Sequence, residues 1–331
     1  MKQMKHTMIT TIVAALCLVL TSSCVMIMES GEDGKSIIYV ECLQGLSDTT
    51  AISIIATAPK FGYEDSRILS DVNVTLKAGE REIPLSNAEV AVEMFPKGAF
   101  YTTEKIPGGQ KLEITVSGGG FDPVRATTFK PYDLKPFDVK MSRTVLYDEN
   151  LSVREGMKAI KMEITPDDPD IIDHFYAVVF DKRWYGSDGR IFYSHPNPIL
   201  QSDGFIYTSS FGDDLVVKSA NSPWSLFRYD DNYVSDSVSP IYLWRGASLM
   251  RDGTITVYFL EPESPGEYRV HLMEVSPEFY RYSKSLAYEE EYNEAFIPFF
   301  PSSYSYTNIV GGCGIFASVS RLDGEWMELP E

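Results

Sequence analysis

The sequence predicts an all-β protein: an N-terminal immunoglobulin-like β-sandwich, then a larger antiparallel β domain, sandwich- or barrel-like, with one helix near the C-terminus. Three observations predict this class. Short segments alternate apolar and polar residues with a period of two. Asp-Gly dipeptides, which suit tight hairpins, lie between several such segments. Only one segment stands out with the spacing of an amphipathic helix.

Five alternating segments can be placed in order along the chain. Each has three apolar residues on one face and polar residues on the other, as expected for half-buried strands of antiparallel sheets. The segments are 72–76, 112–116, 160–164, 255–259 and 268–272. Tight turns are expected at the Asp-Gly dipeptides 188–189, 203–204, 252–253 and 323–324, since glycine accepts a positive φ.

The helix is predicted over about 277–292. Ser276 can act as its N-cap, and Pro277 suits the first helical position. Apolar side chains then follow at helical spacing, so we expect this face to pack on a sheet: Phe279, Tyr282 and Leu286.

A domain boundary is predicted near 140–152, where a segment containing prolines ends and a polar one begins. It divides the chain into an immunoglobulin-like sandwich over 36–141 and a larger β domain over 142–331. The acidic, glycine-containing segment 24–35 is interpreted as a flexible tether.

The first 23 residues are interpreted as a signal peptide, with Cys24 as a lipidation site. Lys2 and Lys5 precede a mostly apolar stretch over 8–20, which is shorter than the roughly 20 residues that span a bilayer. Small residues at 21–23 resemble the site that lipoprotein signal peptidase cuts. Acyl chains on Cys24 would make the lipid anchor the only membrane contact. The alternative is an ordinary secretory signal, with Cys24 an incidental thiol.

The formal net charge is −18. Loss of Lys2 and Lys5 with the signal peptide makes the mature chain more negative still. Such a charge repels phosphate backbones and anionic headgroups, so nucleic acid is excluded as a partner. Cys42 and Cys313 are the cysteines that remain once Cys17 is removed and Cys24 is acylated. Cys42 is expected to be a buried thiol, and a Cys42–Cys313 disulfide is the alternative.

No catalytic or metal-binding constellation is recognisable in the sequence, so we expect no enzymatic activity, cofactor or metal. CxxC and HExxH motifs are absent, and the three mature histidines, His174, His195 and His271, lie far apart. Acidic clusters at 167–170 and 230–232 lack calcium-loop spacing and are interpreted as solvated turns, with a bound Ca²⁺ as the alternative.

The segment 312–317 matches the dinucleotide pattern G-x-G-x-x-A. That pattern requires a helix after the glycines, whereas the residues here indicate a strand. The glycines are therefore interpreted as a bend or bulge where backbones approach closely.

Aromatic residues beside acidic residues in predicted loops are the candidates for ligand binding, since they can stack on and hydrogen-bond to a glycan or a peptide. They are Trp184, Tyr185, Trp224, Tyr229 and Tyr233. The alternative is that these rings fill cores and cap the ends of sandwiches.

The segments 279–286 and 306–317 resemble the C-terminal signature of domain of unknown function 4249, a family of Bacteroidetes lipoproteins. The signature is a Tyr-Arg-Tyr helix followed by Asn-Ile-x-Gly-Gly-x-Gly-x-Phe, matched here by Tyr280, Arg281, Tyr282, Asn308, Gly311, Gly312 and Gly314. The resemblance implies an outer-membrane lipoprotein, facing the periplasm or the cell surface and often encoded beside TonB-dependent receptors. It supplies no known catalytic residue.

Together these observations predict a non-enzymatic accessory lipoprotein of a TonB-dependent uptake system that binds a ligand or the receptor through loops of its second domain. A structural or adhesive envelope lipoprotein is the second interpretation. A hydrolase with an unrecognised site is the third.

Overall fold

The computed structural model describes residues 37–46, 48–56, 67–89, 97–147, 156–168, 173–196, 199, 215–217, 241–246, 253–261, 266–294 and 306–329. The predicted signal peptide, Cys24 and the tether lie outside these residues. Across the described ranges, no helix is both long enough and apolar enough to cross a membrane.

The described residues form nineteen strands and one long helix, so the predicted all-β class is confirmed. Each of the five predicted strands lies within an observed strand, and the helix, predicted over 277–292, extends two residues further. The elements are β1 Ile38–Gln44, β2 Thr50–Ala56, β3 Arg67–Ile68, β4 Val72–Ala78, β5 Arg81–Ile83, β6 Ser86–Asn87, β7 Phe100–Thr102, β8 Lys111–Gly118, β9 Phe121–Phe129, β10 Asp138–Leu146, β11 Met157–Thr165, β12 Phe175–Tyr185, β13 Ile191–Ser194, β14 Leu215–Val217, β15 Ile241–Arg245, β16 Ile255–Leu260, β17 Glu267–Val275, α1 Pro277–Glu294, β18 Cys313–Asp323 and β19 Met327–Glu328.

Two of the predicted tight turns contain glycines with positive φ. Gly189, between β12 and β13, has φ of 80°, and Gly253, before β16, has φ of 66°. Gly324 does not have a positive φ, so the prediction was wrong there: its backbone instead donates a hydrogen bond to Val270 O at 2.8 Å. The dipeptide 203–204 lies outside the described residues.

A twelve-stranded sheet runs through the described molecule in the main order β14-β15-β12-β17-β18-β1-β2-β7-β6. The four-stranded sheet β5-β4-β8-β9 faces β1 and β2 across an aliphatic core that includes Val40, Ile52, Leu76 and Ile114. The three-stranded sheet β10-β11-β16 faces β12, β15 and β17 across an aromatic core that includes Tyr176, Phe180, Trp244 and Phe259. The structure is therefore two sandwiches that share one large sheet.

Helix α1 covers the opposite face of the large sheet. Ser276 caps it, because the Ser276 hydroxyl accepts a hydrogen bond from the Phe279 N–H at 3.3 Å. Phe279 and Tyr282 are buried against Val179 and Met273 of the sheet, as the helical spacing predicted. The side chain of Leu286 is not described.

The expectation of a half-buried strand was wrong for 268–272 in β17, and its neighbours β12 and β18 are buried in the same way. These strands are buried at nearly every position of their central parts. The physical reason is that one sandwich core covers one face while α1 and its neighbours cover the other. Polar positions that alternation would expose, such as His271 and Ser318, are consequently buried.

Strand β18 joins the two halves of the large sheet. Residues 313–318 pair with β1 in parallel, and residues 319–323 pair with β17 antiparallel. Among the described strand pairs this β1–β18 pair is the one parallel exception to an antiparallel pattern. The division into 36–141 and 142–331 stays a prediction. Two observations bear on it: β18, from the C-terminal part of the chain, pairs with β1 of the first sandwich, and strand β10 runs without a break across the predicted boundary at 141/142.

Candidate functional site

A histidine and two carboxylates meet at one end of the second sandwich. His174 immediately precedes β12, Asp168 lies in the connection after β11, and Glu274 is near the end of β17. The His174 Nδ1 atom is 2.6 Å from Asp168 Oδ2 and 3.5 Å from Glu274 Oε1. The three potential ligand atoms all lie within 4.8 Å of one another. These residues are called the Asp168–His174–Glu274 cluster below.

Burial makes the carboxylates of this cluster unusual. Their side chains are only 11% (Asp168) and 10% (Glu274) exposed, whereas His174 is 28% exposed. Burial raises the pKa of Glu274 to about 7; His174 opposes this shift and the Asp168 charge adds to it. The Tyr176 hydroxyl donates a hydrogen bond to Asp168. The cluster therefore holds two buried carboxylates, one imidazole and one phenol.

The sequence analysis missed this cluster. The acidic segment 167–170 was interpreted as a solvated turn. Asp167 is indeed 68% exposed, but the Asp168 side chain points inward and contacts Tyr176 and His174. Asp168 and His174 lie in the β11–β12 connection, but Glu274 comes from the distant strand β17, so no motif spacing records all three. The signal that was present is the short interval between Asp168 and His174.

A second polar cluster is buried on the α1 face of the large sheet, further along the strands. Its centre is His271, whose Nε2 is 2.8 Å from Asp181 Oδ2 and whose Nδ1 is 2.7 Å from Asp323 Oδ1. Arg269 donates to Asp181 at 2.9 Å, and Arg321 donates to Asp323 at 2.6 Å. These five residues are called the His271 network.

The charges of the His271 network stabilise one another. Burial alone would lower the pKa of His271, but hydrogen bonds and charge from Asp181 and Asp323 raise it. Burial alone would raise the pKa of Asp181. Hydrogen bonds from His195 and His271, the charge of His271 and a hydrogen bond from Arg269 together lower this pKa instead. The imidazolium and the carboxylates are therefore both favoured in the folded protein.

The hairpin of β12 and β13 carries aromatic and cationic side chains on both faces. Trp184 stacks on Phe192 with ring centroids 5.6 Å apart, and Lys182 Nζ lies 5.7 Å from the Trp184 ring. Tyr185, next along the strand, is 58% exposed. The sequence predicted a loop at Trp184 and Tyr185, but both lie at the end of strand β12, where consecutive side chains point to opposite faces of the hairpin. Whether they bind a ligand stays a prediction, and Trp224, Tyr229 and Tyr233 lie outside the described residues.

On the other face of the same hairpin, Trp326 lies under two guanidinium groups. Arg183 Cζ is 4.3 Å and Arg269 Cζ is 4.5 Å from the Trp326 ring centroid, and Tyr193 is 6.1 Å from it. Such distances are typical of cation–π contacts. The side chains of the two faces are together called the hairpin surface: Lys182, Arg183, Trp184, Tyr185, Phe192, Tyr193, Arg269 and Trp326. Sequence reasoning missed Trp326 because it lies far from the hairpin along the chain.

The residues of the C-terminal signature hold α1 and β18 in place. Tyr280 packs on Phe175 with centroids 4.7 Å apart, and the Tyr282 hydroxyl lies 3.2 Å from the Tyr39 hydroxyl. Arg281 is exposed and lies 6.0 Å from the ring of Tyr306. These contacts join α1 to β1, to β12 and to the segment before β18.

Asn308 joins β18 to the preceding segment and to β9. Its amide donates to Phe316 O at 2.7 Å and to Thr127 O at 3.2 Å, while its carbonyl accepts from Phe316 N at 3.0 Å. One side chain thus satisfies three backbone groups.

The signature glycines lie where backbones approach closely, as the sequence indicated. Gly314 has φ of 101°, and a Cβ there would lie 2.0 Å from Val40 O. A Cβ at Gly312 would lie 2.5 Å from Ile38 O, and Gly311 has φ of 85°. Because 313–323 is a strand, the dinucleotide pattern has no structural basis here.

Cys42 and Cys313 are buried free thiols, as first expected, and the alternative disulfide is not formed. Parallel pairing aligns Cys313 with Tyr39, three residues before Cys42. Three residues along a strand span about 10 Å, beyond the usual Cα separation in a disulfide. Burial raises the pKa of Cys313 to about 11, so neither position resembles an activated nucleophile.

The fold and its polar clusters define a class of all-β proteins with two sandwiches on a shared sheet and one covering helix. Residues 28–324 match the family model described as Domain of unknown function (DUF4249), and the chain belongs to that family. Searches of curated proteins and of solved structures each found no match.

Proposed function

We propose that this protein is a non-enzymatic, lipid-anchored binding protein of the outer membrane, accessory to a TonB-dependent uptake system. It engages its ligand or its receptor through the hairpin surface. The observation that carries the proposal is the concentration of partly exposed aromatic rings and cations, with the exposed Tyr185, on one hairpin of an otherwise acidic chain.

The composition of the hairpin surface suits recognition of a glycan or a peptide with carboxylate groups. Trp184, Phe192 and the exposed Tyr185 offer flat apolar faces for stacking. Lys182 lies beside the Trp184 ring and offers positive charge there. On the other face Arg183 lies over Trp326 and is paired with Glu267. Aromatic residues and arginine are the types most enriched in binding hot spots.

The anchor is supported by the N-terminal pattern. Two lysines, an apolar stretch and small residues before Cys24 fit a lipoprotein signal, and the thirteen residues 25–37 would separate the lipid from β1. Such an anchor would keep the hairpin surface close to the membrane and to an integral receptor.

Copurification from native envelopes tests the binding role. Wild-type protein, solubilised in mild detergent, is expected to recover a TonB-dependent receptor or a bound glycan or peptide. Trp184→Ala and Tyr185→Ala should reduce that recovery several-fold. Tyr132→Ala is the matched control, because Tyr132 is 65% exposed and packs on Phe129 of β9 in the first sandwich. Equal recovery with all three variants would contradict the proposed surface.

Metabolic labelling with a palmitate analogue tests the anchor. Wild-type protein should carry the label and partition into detergent, and Cys24→Ser should lose both properties. Labelled Cys24→Ser protein, or unlabelled wild-type protein, would overturn the anchor. Recovery of no receptor and no ligand, together with a weakened envelope on gene deletion, would favour the structural or adhesive interpretation instead.

A further inference from the structure

We infer that the Asp168–His174–Glu274 cluster binds a divalent transition-metal ion of the Zn²⁺ class, although the sequence alone led us to expect no metal. The inference is independent of the proposed binding role of the hairpin surface.

The donor atoms match such an ion in type. Imidazole nitrogen suits zinc and its neighbours in the first transition row, and carboxylates complete many of their sites. Ca²⁺ and Mg²⁺ prefer oxygen ligands alone, so His174 disfavours them.

The donor atoms also match in spacing. Ligands about 2.1 Å from a tetrahedral zinc ion lie about 3.4 Å apart. The His174 Nδ1 to Glu274 Oε1 distance is 3.5 Å, and the Asp168 oxygen is 2.6 Å from the same nitrogen. Side-chain movement of less than about 1 Å would give an ion three protein ligands.

Each ligand is held by its surroundings. The Tyr176 hydroxyl bonds to the Asp168 carboxylate, as the outer hydrogen-bond partners of metal ligands do. The backbone of His174 is fixed by a 2.7 Å hydrogen bond from Gly246 N, and Glu274 lies in β17 directly opposite Tyr176 in β12.

The charge of the cluster favours a cation. Two carboxylates with about a tenth of their side-chain surface exposed are costly to bury unless compensated. Within the described part of the chain, His174 is the one basic side chain found in ion-pair contact with Glu274. A dication would neutralise both carboxylates, and the 28% exposure of His174 leaves space for entry and for water as a further ligand.

The His271 network shows what a self-sufficient arrangement looks like. It also combines one histidine with two carboxylates, but Arg269 and Arg321 supply two further positive charges. Both ring nitrogens of His271 already face carboxylates. That network balances its own charges without a metal. In the Asp168–His174–Glu274 cluster the ion pairs seen among the described residues are those of His174 with the two carboxylates.

The test uses the full chain purified without a polyhistidine tag, stripped with a chelator and titrated with Zn²⁺ against a chromogenic competitor. One equivalent of Zn²⁺ should bind and raise the unfolding temperature. Asp168→Asn and Glu274→Gln should each weaken binding at least tenfold and remove the thermal shift. Asp167→Asn, at the exposed neighbouring carboxylate, and Glu325→Gln should bind as the wild type does.

Absence of stoichiometric binding, or equal affinity in Asp168→Asn and Asp167→Asn, would overturn the inference. If a variant fails to fold, X-ray absorption spectroscopy of the wild-type zinc complex still tests the inference, because it identifies the atoms that coordinate the ion. One imidazole with oxygen ligands supports the site. Sulfur ligands, or no imidazole, would place the ion elsewhere and refute it.

Discussion

His271 and Asp181 form a fully buried ion pair in the middle of the large sheet, with Nε2 and Oδ2 2.8 Å apart and both side chains 0% exposed. The pair is stable because the second ring nitrogen also meets a carboxylate, Asp323, and Arg269 supports Asp181. Every charge of the His271 network thus faces an opposite charge.

Asp181→Asn should destabilise the protein by about 3–5 kcal/mol, because it leaves buried cations without their counter-charge. Chemical unfolding followed by tryptophan fluorescence measures the change. Asp122→Asn is the control, since Asp122 is exposed on β9. A loss no larger than in that control would show that the pair contributes little.

The same network predicts how stability depends on pH. The pKa of Asp181 is lowered on folding, so its contribution is present above its unfolded pKa of about 3.9 and is lost as the pH falls further. The pKa of His271 is raised, so its contribution is present below about 6.5 and is lost as the pH rises through the higher folded value.

Glu274 adds to the decline on the alkaline side. Its pKa is raised to about 7, so folding favours the protonated form and stability falls as the pH rises from its ordinary range through 7. Metal-free protein should therefore be most stable near pH 4 to 4.5, lose stability between there and pH 7 through Glu274, and lose more above about 6.5 through His271. Denaturant midpoints from pH 3 to 9 check this, and Glu274→Gln should flatten the slope up to pH 7. Stability that increases steadily above pH 7 would refute the assignment.

Gly314→Ala should be far more harmful than Gly79→Ala. Both glycines have positive φ, which costs an alanine about 1–2 kcal/mol. A Cβ at Gly79 meets nothing within 4 Å, whereas one at Gly314 would lie 2.0 Å from Val40 O and push β1 and β18 apart. We expect a loss above about 4 kcal/mol for Gly314→Ala. Similar unfolding midpoints for the two variants would disprove the close approach.

Asn308→Ala should cost about 1–3 kcal/mol, because the N–H and the C=O of Phe316 lose their side-chain partner. Asn308→Asp should recover part of the loss, since a carboxylate accepts from Phe316 N but cannot donate to Phe316 O. Asn73→Ala, at an exposed position of β4, is the control for both. Hydrogen exchange of the Phe316 amide gives a local readout, and unchanged protection would contradict the bridge.

Cys42 and Cys313 should not react with a disulfide reagent in the native protein, because both side chains are buried and burial raises both pKa values. Both should react in denaturant, and Cys42→Ala should remove one equivalent. Mass spectrometry of the alkylated chain counts them. A pair that reacts only after reduction would show that a disulfide exists.

Features that depend on neighbouring residues in the sequence could be predicted, whereas features that depend on contacts between distant segments could not. The strands at 72–76 and 268–272 and the helix from Pro277 were predictable because alternation, caps and helical spacing are local. The position of β18 between β17 and β1 was not, since pairing with Ile38–Gln44 joins distant segments. The same applies to the Asp168–His174–Glu274 cluster and to Trp326, where the contacting residues come from separate elements.

The place of β18 also governs the order in which the protein can fold. Its parallel pairing with β1 closes a loop of some 270 residues, at an entropic cost of about 5 kcal/mol. Until that loop closes, β1 and β17 each have an unpaired edge that could pair with another chain. Folding of the centre of the sheet must therefore await the C-terminal residues, and a chaperone or a rapid final step would protect against aggregation in the interval.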